Sequence, residues 1–172
     1  MTRLMPGAAA PELSVKTVAG ADWRLSAQAP KTFTMIVFYR GLHCPVCKGF
    51  LGELSRLLPE YGAAGTNVIA VSMDPQDRAR QAVENWGLGD LVVGYGLSEA
   101  QARAWGLYLS ESIKDAETPV FCEPGLFLVD PRGALYLINV ASMPFARPDI
   151  ASLPGKISFA MENNYPPRGT RA

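Results

Sequence analysis

Residues 33–39, FTMIVFY, form an unbroken apolar run, and residues 67–72, NVIAVS, form a second. Runs that lack polar alternation suit strands covered on both faces, as in a parallel sheet. Parallel neighbours need a long crossover, and a helix is the usual one. The segment from about Pro45 to Tyr61 supplies it, with Cys47, Phe50, Leu54, Leu57 and Tyr61 in an apolar stripe at helical spacing. After the second run, Asp74-Pro75 reads as the N-cap and first residue of another helix, which reaches about Trp86. The chain is thereby committed to a layered α/β architecture.

The remaining segments fit the same plan. Residues 12–18 (ELSVKTV) alternate apolar and polar, and AGAD turns the chain into 23–25, an N-terminal β-hairpin. A short strand is expected near 91–94, a short helix over 98–106 and a loop over 108–124. GLFLV and ALYLINV then flank DPRG, with Pro and Gly where a type I turn wants them. A closing helix from about Ile150 to Asn163 leads into a Pro-rich tail expected to fray. At 172 residues, 48% hydrophobic and 19% charged, the chain is the size of one domain, residues 1–172, with an ample core.

Charge and hydropathy narrow the partners. Sixteen Lys and Arg balance sixteen Asp and Glu, which argues against nucleic acid or an anionic membrane surface. No run of about eighteen apolar residues is present, so no membrane span is expected. MTRLMPGAAAPEL lacks the apolar stretch of a secretory signal, and a cytoplasmic location is the default expectation.

The chemistry concentrates in FYRGLHCPVCKGF, residues 38–50, which holds two of three cysteines and the sole histidine. Pro45 suits the first helical position, which makes Cys44 the N-cap. A thiolate there can accept hydrogen bonds from the free amides of residues 46 and 47 and sits at the positive end of the helix dipole. Such placement lowers a cysteine pKa from about 8.5, in the extreme to about 3.5. Cys47 lies three residues on, along the same helix face, within reach of a disulfide and expected to be the more shielded thiol. An exposed Cys44 backed by a shielded Cys47 suits thiol–disulfide exchange. Two bland readings stand beside this one. A zinc half-site would need further ligands, and only His43 and Cys122 remain. Two inert core cysteines are the other.

The strand–CxxC–helix order resembles the thioredoxin fold. The added hairpin and the stretches IVFYRG, VIAVSMD and GLFLVDPRGALYLI resemble more specifically the alkyl hydroperoxide reductase/thiol-specific antioxidant group, the peroxiredoxins and their relatives, over roughly residues 8 to 162. The resemblance implies a thioredoxin-like three-layer α/β fold, with a central mixed sheet extended by the N-terminal β-hairpin. It places Cys44 at the peroxide-reacting position. Three positions depart from the family pattern: Val37 and Gly41 stand where peroxiredoxins carry a proline and a Thr or Ser, and Pro124 stands where they commonly carry an arginine. A proline there is what thioredoxins have, in the cis form and facing the CxxC, so Pro124 becomes a cis candidate.

In that topology the loop ASMPFARP returns to the CxxC side, making Arg147 a substitute for the family arginine, with Arg40 as the other candidate. Either cation could stabilise a thiolate or an incoming peroxide oxygen. His43 is a candidate to relay a proton or, when charged, to favour the thiolate. Lys48 could add a weak field, and Cys122 reads as a core residue or a third competing thiol. The reading is a thiol-dependent antioxidant oxidoreductase that reduces peroxides through Cys44, with Cys47 resolving the intermediate and no metal or organic cofactor. An external dithiol reductant, such as a thioredoxin-like protein, would reset it, and family likeness implies a homodimer. The alternatives are a disulfide reductase using the same dithiol and a redox-inactive thioredoxin-fold binding module.

Overall fold

Seven strands form one mixed sheet in the computed structural model, which describes residues 3–171. Chain order runs β1 (Ser14–Thr17), β2 (Asp22–Arg24), β3 (Phe33–Phe38), α1 (Pro45–Ala63), β4 (Thr66–Val71), α2 (Gln76–Trp86), β5 (Val92–Tyr95) and α3 (Glu99–Ala104). It continues through β6 (Leu109–Glu111), β7 (Val120–Cys122), β8 (Gly125–Val129), β9 (Leu135–Val140) and α4 (Leu153–Glu162). In space the sheet reads β2-β1-β5-β4-β3-β8-β9. The strands β3, β4 and β5 are parallel, and the hairpins β1–β2 and β8–β9 add antiparallel edges.

Burial follows from the two apolar runs. All six residues of β3 are buried, and alternate side chains serve opposite faces. Met35, Val37 and Tyr39 join Cys44, Cys47, Leu51, Leu54 and Tyr61, with Leu153 and Ile157 of α4, in one cluster. Ile36 and Phe38 join Leu97, Ala102, Trp105, Cys122 and Phe127 in the other. Helices thus cover both faces of the sheet, and the three layers match the expected fold. Among the described residues, no helix is long and apolar enough to cross a membrane.

The parallel strands set where the site falls. Phe38 and Val71 are register partners at the C-terminal ends of β3 and β4. The loop into α1 and the loop into α2 therefore emerge side by side, at the strand ends where α/β sheets characteristically build their sites. Gly41, within the first loop, has φ +132, which a side chain rarely tolerates.

Several local expectations are corrected. Residues 108–124 are not a plain loop: β6 and β7 pair antiparallel as a separate two-stranded ribbon, Leu109 opposite Cys122 and Glu111 opposite Val120. The N-cap of α2 is Pro75, and Asp74 makes no capping bond, because its carboxylate is engaged with the Leu42 amide and Arg78. The Pro-rich tail does not fray at its start. Tyr165 donates its amide to the Ala160 carbonyl at 2.8 Å, and the Tyr136 hydroxyl donates to the Tyr165 carbonyl at 2.8 Å. No peptide bond among the described residues is cis, so Pro124 follows a trans bond.

Trp105 anchors the second cluster, edge-on to Phe127 at 4.9 Å and tilted against Phe38 at 5.5 Å, with no exposed surface. Trp105→Ala is expected to cost about 3–5 kcal/mol, the usual loss for truncating a large core aromatic, as read from urea unfolding.

Candidate functional site

The site begins with the free amides of a helix. Cys44 is the N-cap of α1, with an extended backbone (φ −100, ψ 106), and Pro45 occupies the first turn, where an absent N–H costs nothing. The Cys44 sulfur accepts the Cys47 amide at 3.2 Å. The Cys47 thiol acts on that sulfur as well, and the two cysteines belong to the same core cluster. The thiol of Cys44 is lowered to about 6, first by the hydrogen bond from Cys47 and then by the Cys47 amide, Arg40 and Arg147, against the opposing effect of burial. Near neutrality Cys44 is therefore mostly thiolate. Cys47 moves the other way: burial raises it, and its donation to Cys44 raises it further.

Both sulfurs are sealed. Cys44 and Cys47 each have 0% relative exposure, so the expectation of an exposed first cysteine is overturned. The thiolate survives there because donors face it from several sides, and a buried anion is tolerable only when hydrogen-bonded and paired.

Two cations reach the dithiol from different elements. Arg147, on the loop after β9, donates from Nη2 to the Cys47 sulfur at 2.9 Å. Its guanidinium lies over the Phe50 ring at 4.8 Å, and its Nε donates to the Pro144 carbonyl, so the fork is held on three sides. Arg40, just beyond β3, lies near enough to the Cys44 sulfur for its charge to favour the thiolate. Its guanidinium lies over Phe121 at 4.8 Å, and its Nε stands 3.2 Å from a Glu123 carboxylate oxygen. Glu123 is 4% exposed and accepts the Ser110 hydroxyl at 2.7 Å.

His43 packs on Phe121 with ring centroids 4.7 Å apart, and neither ring nitrogen has a hydrogen-bond partner. Burial, and then the charge of Arg40, lower it to about 4, so the ring is neutral at physiological pH and lends the thiolate no charge. Cys122 belongs to the cluster on the other face, where its thiol donates to the Tyr39 carbonyl at 3.4 Å and burial pushes it up to about 12. Pro124 lies between β7 and β8, and its carbonyl accepts the Ala141 amide at 2.9 Å. Lys48 donates its amide to the Cys44 carbonyl at 3.1 Å as part of the first turn of α1. Among the described residues, no group of three His, Cys, Asp or Glu stands together to hold a metal.

Sequence reasoning missed Glu123 and misassigned Asp74. Glu123 is the lone charge inside VFCEPGLFLV, and a charge interrupting a buried apolar stretch is a signal for a partnered carboxylate. Asp74 follows the C-terminal end of a parallel strand, where site residues gather. Its capping position beside Pro75 supplied a simpler explanation.

Comparison with known proteins agrees with this architecture. The family model described as AhpC/TSA family matches residues 6–138. No curated protein matches the chain. Among solved structures, the chain is similar to peroxidoxin BcpB from Mycobacterium tuberculosis, with TM-score 0.72, 14% identity, and coverage of 94% of this chain and 98% of that one. It is similar to a peroxiredoxin-like protein from Aquifex aeolicus, with TM-score 0.74, 18% identity and coverage of 92% and 89%. It is also similar to the reduced 2-Cys peroxiredoxin of Plasmodium vivax, with TM-score 0.74, 14% identity and coverage of 95% and 86%. At these identities the structural likeness speaks for the fold, while the family match spans most of the chain. The chain belongs to the AhpC/TSA family of thiol peroxidases.

Proposed function

We propose that the protein reduces peroxides through the Cys44 thiolate, with Cys47 as the resolving thiol. The observation that carries this reading is the Cys44 sulfur at the helix N-cap, accepting the Cys47 amide at 3.2 Å. The thiolate attacks the terminal peroxide oxygen and the O–O bond breaks. The departing alkoxide or hydroxide takes a proton from solvent, and Cys44 becomes a sulfenic acid. Arg40 and Arg147 stabilise the negative charge that moves from sulfur to the leaving oxygen.

Resolution follows from the same contacts. Once Cys44 is a sulfenic acid its negative charge is gone, which removes one of the effects that keep Cys47 protonated, burial being the larger. Arg147, 2.9 Å from the Cys47 sulfur, then favours its ionisation. The Cys47 thiolate attacks the Cys44 sulfur, hydroxide leaves as water after protonation, and a Cys44–Cys47 disulfide remains. An external dithiol of the thioredoxin type supplies the two electrons that restore both thiols. His43, neutral at physiological pH, presents no charge to the sulfurs and is given no part in these steps, nor is Pro124.

A small substrate suits this site better than a protein disulfide. Both sulfurs lack exposed surface, and the Glu123 amide, beside Pro124, already donates to the Tyr108 carbonyl at 2.8 Å. The backbone edge along which an extended peptide would pair is filled by the β6 side of the ribbon.

Stopped-flow oxidation by hydrogen peroxide should proceed far faster for Cys44 than for free cysteine. A rate no better than the free amino acid would end the peroxidase reading and leave disulfide exchange. Cys44→Ser should abolish turnover, whereas Cys47→Ser should keep the first oxidation and stop after one equivalent, with the sulfenic acid trapped by a dimedone probe. The pH profile has a definite sign. Because the thiolate is the nucleophile and its pKa is about 6, the rate should be at its plateau above neutrality and fall as pH drops through that value. Arg147→Gln should slow disulfide formation more than the initial oxidation, by about tenfold or more if the charge-assisted contact acts on Cys47. Mass spectrometry of the quenched intermediates reads the difference.

A further inference from the structure

The loop that carries Arg40 and Cys44 has a tether of its own. The Leu42 amide donates to Asp74 Oδ2 at 2.7 Å. Asp74 is fully buried, and its other oxygen receives Arg78 Nε at 3.3 Å. The backbone around the carboxylate is fixed as well. Its amide donates to the Ser72 hydroxyl at 3.3 Å, and its carbonyl accepts the Gly96 amide at 2.9 Å. Arg78 extends the link outward, donating from Nη2 to the Ala116 carbonyl at 2.8 Å on the β6–β7 connection.

Gly41 is fitted to this carboxylate. A Cβ at that position would come within 2.7 Å of Asp74 Oδ1 and 2.8 Å of Oδ2, distances side-chain carbons do not adopt. The loop backbone therefore lies directly on the carboxylate, at a φ of +132 that glycine tolerates. The Gly41 carbonyl in turn accepts the Cys44 amide at 3.1 Å, which joins the tethered residues to the N-cap itself. An unpaired carboxylate at full burial would be costly, so retaining one here makes sense when its hydrogen bonds do specific work.

We propose that Asp74 is a positioning residue: by holding the Leu42 amide against the Gly41 backbone, it fixes the loop that sets the Cys44 sulfur on the first turn of α1 and Arg40 beside it. The proposal rests on the reading of Cys44 as the reactive thiol. Asp74 does not touch the substrate. It acts by keeping the donors of the thiolate in register, since a small misplacement of a reacting group is enough to cost much of a rate.

The test compares Asp74→Ala with Asp74→Asn. Both remove the negative charge, but asparagine keeps an oxygen that can accept the Leu42 amide. The readout is iodoacetamide alkylation of Cys44 as a function of pH, followed by peptide mass spectrometry, which needs no peroxide. Asp74→Ala is expected to raise the Cys44 pKa toward the ordinary thiol range, cutting the alkylation rate near pH 6 by about fivefold or more. Asp74→Asn should stay within about threefold of the parent. Unchanged titration in Asp74→Ala, or equal shifts in both variants, overturns the proposal, because either result removes the tether from the account. Should Asp74→Ala fail to fold, hydrogen exchange of the Leu42 amide in the unaltered protein decides. Strong protection supports the tether, and exchange at the rate of an open loop overturns it. Peroxide inertness of the unaltered Cys44 would sink the peroxidase reading while leaving the alkylation contrast intact.

Discussion

The site depends on the unsatisfied amides at the start of α1. A helix leaves its first N–H groups without internal partners, and here the Cys47 amide finds one in the Cys44 sulfur. That contact, together with the Cys47 side chain, Arg40 and Arg147, favours the anion at a buried cysteine over a neutral core thiol. Everything else in the site follows from where the turn is placed: at the C-terminal end of β3, next to β4, with a guanidinium arriving from the β3 end and another from beyond β9.

The two cysteines divide their work through electrostatics. The two thiols act on each other, so the ionisation of one suppresses that of the other. Helix position breaks the tie. Cys44, at the cap, receives the amide and Arg40, whereas Cys47, one turn in, is desolvated and keeps its proton until its neighbour changes state. The contact between Arg147 and Cys47 then has a reason to exist even though Cys47 is the less acidic thiol.

Much of this was legible in the residues. The unbroken apolar runs named the central strands, and the CxxC at a Pro-started helix named the sulfur at the cap. The return of ASMPFARP to that side follows from the hairpin order. What stayed hidden depends on side-chain partners across long sequence separations. Asp74 looked like a cap because the local rule for Asp-Pro is strong, yet the Leu42 amide lies nearer in space than any pattern can tell. Glu123 carries no motif. The β6–β7 ribbon has only three residues per strand, too short for alternation to stand out from a loop. The burial of Cys44 was missed because an N-cap is usually a surface position, and here the residue belongs to the core cluster beneath α1.

The folded-back tail has a practical meaning. Tyr165 is fastened to Ala160 and Tyr136, beside Gly7, Thr32 and Phe33, at the end where β3 begins. The dithiol sits at the end where β3 finishes, a strand length away. An electrode linker or affinity handle fastened near Pro167 would hold the molecule by its base and leave the end of the sheet above the dithiol unobstructed.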